Sequence, residues 1–362
     1  MAVSFYDTAA VDALIRELRI DPYLLRRARN AFFKKAAPPE AALAELPAEN
    51  RTAFAAAVQF GTLTDLRRFD SGLDEATKLV FRTTAGFAIE SVILRPATGR
   101  TTLCVSSQVG CAAACSFCAT GHMGVARDLT ADEILDQVVN ANAILKDEGR
   151  RVRNLVFMGM GEPMHNEQEV QTALSVLQDP ACFDHPASRI LVSTVGVPAP
   201  LLRTVERFPT TNFALSLHSA SQATREQIIP LARRYSLDQL RDAVLHLNQV
   251  QPETTKVMIE YLMLDEVNDS PEAAQLLLSW ISGLRVHVNL IPFNSIPHRP
   301  ELKCSPRSRI DTFGETIRSA GFPTTIRYSL GSDIEAACGQ LVQSENRSVA
   351  KSLAQATAST SN

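Results

Sequence analysis

The sequence contains no apolar run long enough to span a membrane. Its N-terminus lacks the positively charged start and the apolar stretch of a secretory signal. Its seven cysteines are an odd number and cluster near one motif, so they do not form a disulfide framework. These absences predict a cytoplasmic, reducing compartment in which cysteines serve metal and thiol chemistry. With 362 residues, 45% of them hydrophobic, the chain can bury one large core and a small accessory domain.

The sequence also lacks an excess of positive charge, because its formal net charge is −3. The overall charge therefore gives no argument for a nucleic-acid partner. One basic stretch near the N-terminus fits either a solvated helix face or an RNA contact, and its composition does not decide between them. This stretch comprises Arg16, Arg19, Arg26, Arg27, Arg29, Lys34 and Lys35.

Most of the chain alternates between strand patterns and helix patterns. Helical periodicity covers residues 131–145, 167–177 and 237–247, and short apolar, β-prone runs lie between such stretches. The predicted strands are Thr102–Ser106, Asn154–Met158, Arg189–Ser193, Thr211–Ser216, Val257–Tyr261 and Val286–Ile291. Six repeats of this kind predict an α/β fold with a parallel sheet and crossover helices. In an open (β/α)6 barrel, ligands bind at the carboxyl ends of the strands.

The patterns on either side of this core predict three further segments. Short helical patterns indicate a small N-terminal helical accessory domain over residues 1–78. Alternating apolar and polar residues from Leu79 to Leu94 indicate a hairpin that leads into a core of residues 79–342. Residues 343–362 are rich in Ser, Ala, Thr and Asn, and we expect them to form a disordered tail.

Three cysteines with CxxxCxxC spacing follow the first predicted strand of the core: Cys111, Cys115 and Cys118. Three thiolates are one ligand short of a closed zinc site and of a 4Fe–4S cluster held at all four irons. One hypothesis is structural zinc with a distant fourth ligand, either His122 or Cys104. The other is a 4Fe–4S cluster whose open iron binds S-adenosylmethionine and reduces it, which releases a 5′-deoxyadenosyl radical.

Phe117, just before the third cysteine, makes the motif similar to the radical-SAM signature CxxxCxφC, in which φ is aromatic. The cysteines are preceded by VSSQVG (105–110) and followed by ATGHMG (119–124), and MGMGEP (158–163) and DIEAACGQL (333–341) lie downstream. Together these motifs resemble the RlmN/Cfr family of RNA methyltransferases, over about residues 87–341. The resemblance implies a partial (β/α)6 radical-SAM barrel, with a 4Fe–4S cluster on the three cysteines and S-adenosylmethionine as cofactors.

The resemblance also implies which residues bind S-adenosylmethionine. Without this resemblance, residues 159–162 (GMGE) are interpreted as an ordinary loop and His218 as a core histidine at the end of a strand. The residues that match the family's cofactor contacts are Gly161, Glu162, Ser193, Ser216, Leu217, His218 and Asn294.

Cys338 has the central catalytic role in this resemblance. One S-adenosylmethionine methylates its sulfur, and the radical from a second molecule abstracts hydrogen from that S-methyl group. The resulting methylene radical then adds to an electron-poor carbon of an adenine ring. Cys104 matches the family's second cysteine, which releases the product through a transient disulfide, and Glu90 matches the proton acceptor. Cys182 and Cys304 match no catalytic motif.

The substrate that the resemblance implies is an adenosine in RNA, modified at carbon 2. The first expectation is a 23S rRNA adenosine, followed by a tRNA adenosine beside the anticodon, with a flavodoxin or ferredoxin as electron donor. Carbon 8, the target of the Cfr branch, stays open because both branches share these motifs. A non-catalytic, zinc-bearing RNA-binding module is the alternative from another class. The sequence departs from the family at residues 124–129 (GVARDL) and 327–331 (RYSLG), which concerns the RNA target more than the chemistry.

Overall fold

The computed structural model describes residues 2–124, 127–341 and 345–360. Its helices are α1 (Thr8–Glu17), α2 (Pro22–Arg29), α3 (Pro39–Leu43), α4 (Ala48–Ala57), α5 (Ala131–Asp147), α6 (Glu167–Gln178), α7 (Pro198–Arg207), α8 (Gln222–Ile228), α9 (Leu237–Val250), α10 (Pro271–Ile281), α11 (Arg307–Ser319) and α12 (Asn346–Thr360). Its strands are β1 (Val3–Ser4), β2 (Val58–Gln59), β3 (Thr64–Asp70), β4 (Thr77–Arg82), β5 (Ala88–Leu94), β6 (Thr102–Cys104), β7 (Asn154–Phe157), β8 (Ile190–Thr194), β9 (Asn212–Ser216), β10 (Val257–Met263), β11 (Val286–Pro292) and β12 (Thr324–Ile326).

Strands β3 to β12 form one sheet of ten strands that follow each other in chain order. Neighbouring strands from β6 to β12 are parallel, and those from β3 to β6 are antiparallel. The parallel strands are joined through helices, as parallel connections require. The six predicted strands are β6 to β11, which confirms the α/β fold class. Strand β12 adds a seventh parallel strand that the apolar pattern does not predict, because its residues are half-buried or exposed.

Strand β10 shows how the sheet distributes its side chains. Ile259 and Tyr261 are fully buried in the main core, whereas Met258, Glu260 and Leu262 line a central cavity. This alternation is the two-residue period of a β-strand. Strands of a covered parallel sheet are usually apolar on both faces. The Glu260 carboxylate in the middle of β10 is therefore an exception, and it lines the central cavity.

The N-terminal helices pack onto the barrel through an aromatic cluster. Phe5 stacks on Phe33 with 5.4 Å between ring centroids, and Phe33 lies 4.9 Å from Phe183 of the barrel. The sheet begins before residue 78, where the helical domain is expected to end, because β3 pairs with β4. None of the helices in the described ranges has the length and apolarity needed to cross a membrane.

The basic stretch near the N-terminus is partly used inside the fold. Arg29 is buried and pairs with Asp12, with 3.0 Å between nitrogen and oxygen. Lys34 forms an ion pair of 3.2 Å with Asp184. Arg29 at least is therefore structural, and the stretch is not one continuous free surface.

Asp136 of α5 joins the N-terminal domain to the barrel. Its carboxylate accepts hydrogen bonds from the Tyr6 hydroxyl and from the backbone N–H groups of Thr62 and Leu63. Replacing Asp136 with alanine leaves these donors unpaired, so we expect the free energy of unfolding to fall by about 2–4 kcal/mol. Urea denaturation measures the loss. The exposed Asp242 serves as the matched control for alanine substitution, and equal effects at both positions would contradict this role.

The C-terminal segment differs from the expected disordered tail, because residues 346–360 form α12. The buried Asn346 side chain donates to the Ala88 carbonyl and accepts from the Ala88 N–H, both at 2.7 Å. The Arg347 guanidinium donates to the carbonyls of His122 and Met123. These polar contacts and the packing of Val349 and Ala350 against the main core hold the start of α12, and composition did not reveal them. Residues 343–344 and 361–362 of the expected tail lie outside the described residues.

Candidate active site

A cavity of about 830 Å³ runs along the inner face of the sheet, and its lining includes residues at both the amino and the carboxyl ends of the parallel strands. Three expected site residues do not line it within the described structure: Glu90, Leu217 and Asn294. The expected site residues that do line it are Cys104, Cys111, Cys115, Cys118, Gly161, Glu162, Ser193, Ser216, His218 and Cys338. The fold therefore brings together side chains that are more than 200 positions apart in sequence.

The loop after β6 carries Cys111, Cys115 and Cys118. Ala114 adopts a left-handed conformation with φ of 53°, and the Cys118 N–H donates to the Cys115 carbonyl at 3.2 Å. Gly121 closes the turn, since a Cβ there would lie 3.0 Å from the Cys115 nitrogen. The compact loop places all three thiols at the cavity wall.

The three sulfurs are electrostatic neighbours. Burial, together with the nearby Cys118 and Glu162, raises the pKa of Cys111 to about 12. Burial also raises the pKa of Cys115, with the other two cysteines adding to the effect. A buried group of mutually repelling thiolates is stabilised when a cationic metal centre compensates their charge.

This donor set fits an iron–sulfur cluster better than a zinc ion. Within the described ranges, no three His, Cys, Asp or Glu side chains are arranged to hold a single metal ion. His122, a candidate fourth zinc ligand, contacts the Ser116 carbonyl at 3.1 Å and stacks on His298 outside the cavity lining. In a 4Fe–4S cluster each thiolate binds a separate iron. The sulfurs therefore need not converge on one point.

The turn after β7 depends on its glycines. A Cβ at Gly159 would lie 2.7 Å from the Val105 backbone, and Gly161 has a φ of +105°. Glu162 is buried, and its carboxylate accepts the N–H groups of Met164 at 2.9 Å and Val195 at 2.8 Å. Burial raises the pKa of Glu162. The close packing fixes one carboxylate at the cavity wall, where it can accept from a ligand amine.

Strands β8 and β9 add a polar wall. The hydroxyl oxygens of Ser193 and Ser216 lie 3.2 Å apart. His218 has a φ of 58°, and its Nδ1 accepts the Leu262 N–H at 3.0 Å. Burial lowers the pKa of His218 to about 3, so its ring is neutral. Leu217 is fully buried beside these residues and offers its carbonyl to Arg225 rather than its side chain to the cavity.

Cys338 lies on the loop after β12 that closes over the cysteine loop. The Ala119 N–H donates to the Gly339 carbonyl at 2.7 Å, and the Thr120 hydroxyl donates to the Leu341 carbonyl at 2.6 Å. The Asn294 amide donates to the Cys338 carbonyl at 3.1 Å. Asn294 thus positions the Cys338 loop. The Cys338 residue itself is accessible through the cavity.

Cys104 and Cys338 share one electrostatic environment. Burial raises the pKa of Cys104 to about 12 and that of Cys338 to about 11, and the Arg327 charge opposes both shifts. Arg327 lines the cavity, and its guanidinium lies 3.5 Å from the Met158 sulfur. All seven cysteines lie in the described part of the chain and are free thiols.

Glu90 is nearly fully buried on β5, where its carboxylate lies 3.4 Å from the Lys78 ammonium group. It shares one sheet face with Val92, which pairs with Cys104 on β6 and lines the cavity. Glu90 is therefore not a surface carboxylate. Its side chain belongs to the inner face, although it does not reach the described cavity lining.

Sequence reasoning missed three charged residues at or beside this cavity. Arg225 is buried and donates to the carbonyls of Val195 and Leu217, which ties two cofactor-matching loops together. Glu260 and Arg327 line the cavity near Cys338. A charged residue within an apolar strand, as at Glu260, is the one sequence signal that could have indicated such a site.

The chain is similar to several known proteins. The Radical SAM superfamily model matches residues 105–277. A protein of Rhodopirellula baltica, named as a probable RNA methyltransferase, is 54% identical over 96% of this chain and 89% of its own length. A Thermus thermophilus protein, named as a probable dual-specificity RNA methyltransferase RlmN, is 36% identical over 94% of this chain and 95% of its own.

The fold has a close match among solved structures as well. A radical SAM methyltransferase from Sphaerobacter thermophilus superposes with a TM-score of 0.87 and 37% identity. The match covers 94% of this chain and 99% of that protein, so it includes the N-terminal helices as well as the barrel. The chain belongs to the RlmN/Cfr family of radical-SAM RNA methyltransferases.

Proposed function

We propose that this enzyme methylates carbon 2 of an adenosine in RNA through an S-methylated Cys338. A 23S rRNA adenosine is the first target, and a tRNA adenosine is the second. One observation carries this proposal: Cys338 and Cys104 line the same cavity as the three clustered cysteines. The names of relatives as dual-specificity RNA methyltransferases support two classes of RNA substrate.

Cys111, Cys115 and Cys118 would hold a 4Fe–4S cluster. When bound, that cluster supplies the electron for cleavage of S-adenosylmethionine to a 5′-deoxyadenosyl radical. The chain's own residues bind and orient the sulfonium substrate. We assign this task to Gly161, Glu162, Ser193, Ser216 and His218, which line the cavity. Leu217 and Asn294 act as positioning residues, Leu217 through its carbonyl contact with Arg225 and Asn294 through its hydrogen bond to the Cys338 loop.

Cys338 acts as nucleophile and methyl carrier. As a thiolate it takes a methyl group from the sulfonium of one S-adenosylmethionine. The S-methyl group then loses one hydrogen atom to the 5′-deoxyadenosyl radical of a second molecule, and its methylene carbon bonds to the adenine. The adduct radical would give one electron back to the cluster. Glu90 accepts the proton that leaves the ring carbon. The Cys104 thiolate attacks the Cys338 sulfur, so a disulfide forms as the bond from that sulfur to the methylene carbon breaks, and this carbon takes up a proton to become the methyl group of the product. An external thiol reductant resets the pair, and a flavodoxin or ferredoxin supplies electrons to the cluster.

Mass mapping of RNA tests this function, with chromatography against 2-methyladenosine and 8-methyladenosine standards to assign the carbon, since the two isomers have the same mass. We expect 23S rRNA from cells without the gene to lack one methyl group on carbon 2 of an adenosine, and re-expression to restore it. Mapping of tRNA from the same cells tests the second substrate. A methyl group lost from carbon 8 would place the enzyme in the Cfr branch and refute the carbon-2 assignment. Unchanged masses of both RNA classes would refute RNA methylation altogether.

A further inference from the structure

The cavity contains one carboxylate oxygen that has no partner. Glu260 of β10 is only 2% exposed and lines the cavity. Its Oε1 is fully buried and has no hydrogen bond to any described residue. A buried carboxylate oxygen without a donor costs free energy, so such an atom in a cavity wall indicates a donor on a ligand.

A chain of hydrogen bonds holds one carboxylate oxygen of Glu260 and leaves the other without a donor. The Asn289 amide donates to Glu260 Oε2 at 2.7 Å, and the Thr325 hydroxyl donates to Asn289 Oδ1 at 2.9 Å. His287 Nε2 lies 3.0 Å from the same hydroxyl and completes the chain. Because Asn289 donates to Oε2, Oε1 is the oxygen of Glu260 that lacks a donor.

Glu260 pairs in register with Ser216 of β9, which matches a cofactor contact, and it also has neighbours that relate it to the nucleobase. Arg327 and Cys338 are its electrostatic neighbours, and the Cys338 sulfur must reach the target ring. The residues that match the family's cofactor contacts do not include Glu260. Adenine carries an exocyclic amine, whereas guanine and hypoxanthine carry a carbonyl oxygen at the corresponding carbon. A carboxylate oxygen accepts from an amine and repels a carbonyl.

We propose that Glu260 accepts a hydrogen bond from the exocyclic amine of the target adenine and thereby selects adenine over other purines. This inference rests on the proposed function, since it assigns the recognition of the base that Cys338 modifies. Glu260 is then a specificity-determining residue, while Asn289 and Thr325 are positioning residues that act through it.

The test compares two RNAs with anaerobically reconstituted enzyme. One RNA carries adenine at the target nucleotide, and the other carries purine, which lacks only the amine. A hydrogen bond to a charged group contributes enough for the wild-type kcat/KM to fall about 10- to 100-fold on the purine RNA. This comparison needs no variant, so it does not depend on the folding of a mutant protein.

The variant Glu260→Gln adds the second half of the test. Asn289 presents N–H groups, so the glutamine must direct its carbonyl oxygen to Asn289 and its own N–H2 group into the cavity. An acceptor thereby becomes a donor. We expect kcat/KM on adenine RNA to fall about 10- to 100-fold, and the preference for adenine over purine to disappear. Met258→Leu, on the same face of β10, should keep the wild-type preference.

Methylation of Cys338 in the absence of RNA separates the alternatives. Glu260→Gln should methylate Cys338 at the wild-type rate, because no base is present in that step. Slower Cys338 methylation or weaker S-adenosylmethionine binding would assign Glu260 to the cofactor and overturn the inference. An equal fall in the kcat/KM of Glu260→Gln on both RNAs, or no fall on either, would also overturn the inference. If wild-type enzyme fails to methylate adenine RNA, the proposed function fails and the inference falls with it.

Discussion

Replacing Cys338 with alanine is expected to abolish RNA methylation, with a fall in turnover of more than about 10³-fold. The reason is that the sulfur forms bonds to the methyl group and then, through it, to the base, so no neighbouring group can substitute for it. The remaining cavity wall keeps the residues assigned to S-adenosylmethionine. We therefore expect Cys338→Ala to form 5′-deoxyadenosine while transferring no methyl group. Methyl-labelled S-adenosylmethionine and chromatography of the nucleoside products measure both activities in one reaction.

Two other cysteines provide the comparison. Cys304 is exposed and outside the cavity lining, so Cys304→Ala should methylate RNA at the wild-type rate. Cys104→Ala should still methylate Cys338, because Cys104 acts only after the RNA adduct has formed. That variant should then remain covalently attached to RNA, which a gel under denaturing conditions detects. Normal RNA methylation by Cys338→Ala would refute the methyl-carrier mechanism.

Replacing Cys115 with alanine is expected to remove the metal centre itself. Cys115 is buried in the cysteine loop, where the Ser116 N–H donates to the Ile228 carbonyl at 2.9 Å. Two thiolates cannot hold a cluster that already lacks a fourth protein ligand. After anaerobic reconstitution, the variant should be colourless, with iron and sulfide near background. Both 5′-deoxyadenosine formation and RNA methylation should fall to background as well.

A second buried cysteine controls for the loss of a core thiol. Cys182 is fully buried in the main core and does not line the cavity. Cys182→Ala should therefore keep the wild-type content of iron and sulfide, even if its unfolding midpoint falls. A Cys115→Ala variant with full iron would show that the cluster is held elsewhere. Stoichiometric zinc in colourless wild-type protein would instead support the RNA-binding module.

The barrel was predictable because each strand and helix carries its own local pattern. Residues 155–158 are a short apolar run, whereas residues 286–289 alternate apolar and polar side chains, and both patterns indicate strands. Helix α5 begins where Thr130 and Glu133 form a capping box, a signal that is local in sequence. The cysteine spacing and the glycine turn before Glu162 are local in the same way. The resemblance of these motifs to a known family then gave the expected roles of distant residues.

The missed features depend on contacts between distant segments. The ends of the chain meet the barrel through Asp136 and Asn346, each of which binds backbone groups far away in sequence. Arg225 donates to carbonyls of two different loops, and no pattern around position 225 shows that. Glu90 of β5 forms an ion pair with Lys78 of the neighbouring strand β4, and only the register of these two strands brings them together.

By itself, the sequence determined the order of strands and helices, the trio of clustered thiols and the resemblance that connects them to Cys338. These properties follow from short-range periodicity and spacing, which the chain carries whatever its tertiary contacts. The tertiary structure alone decided that Cys104, Arg327 and Glu260 face Cys338 across one cavity, and that one oxygen of Glu260 has no partner there. Burial and hydrogen-bond partners arise only when distant segments pack together, so no local pattern specifies them.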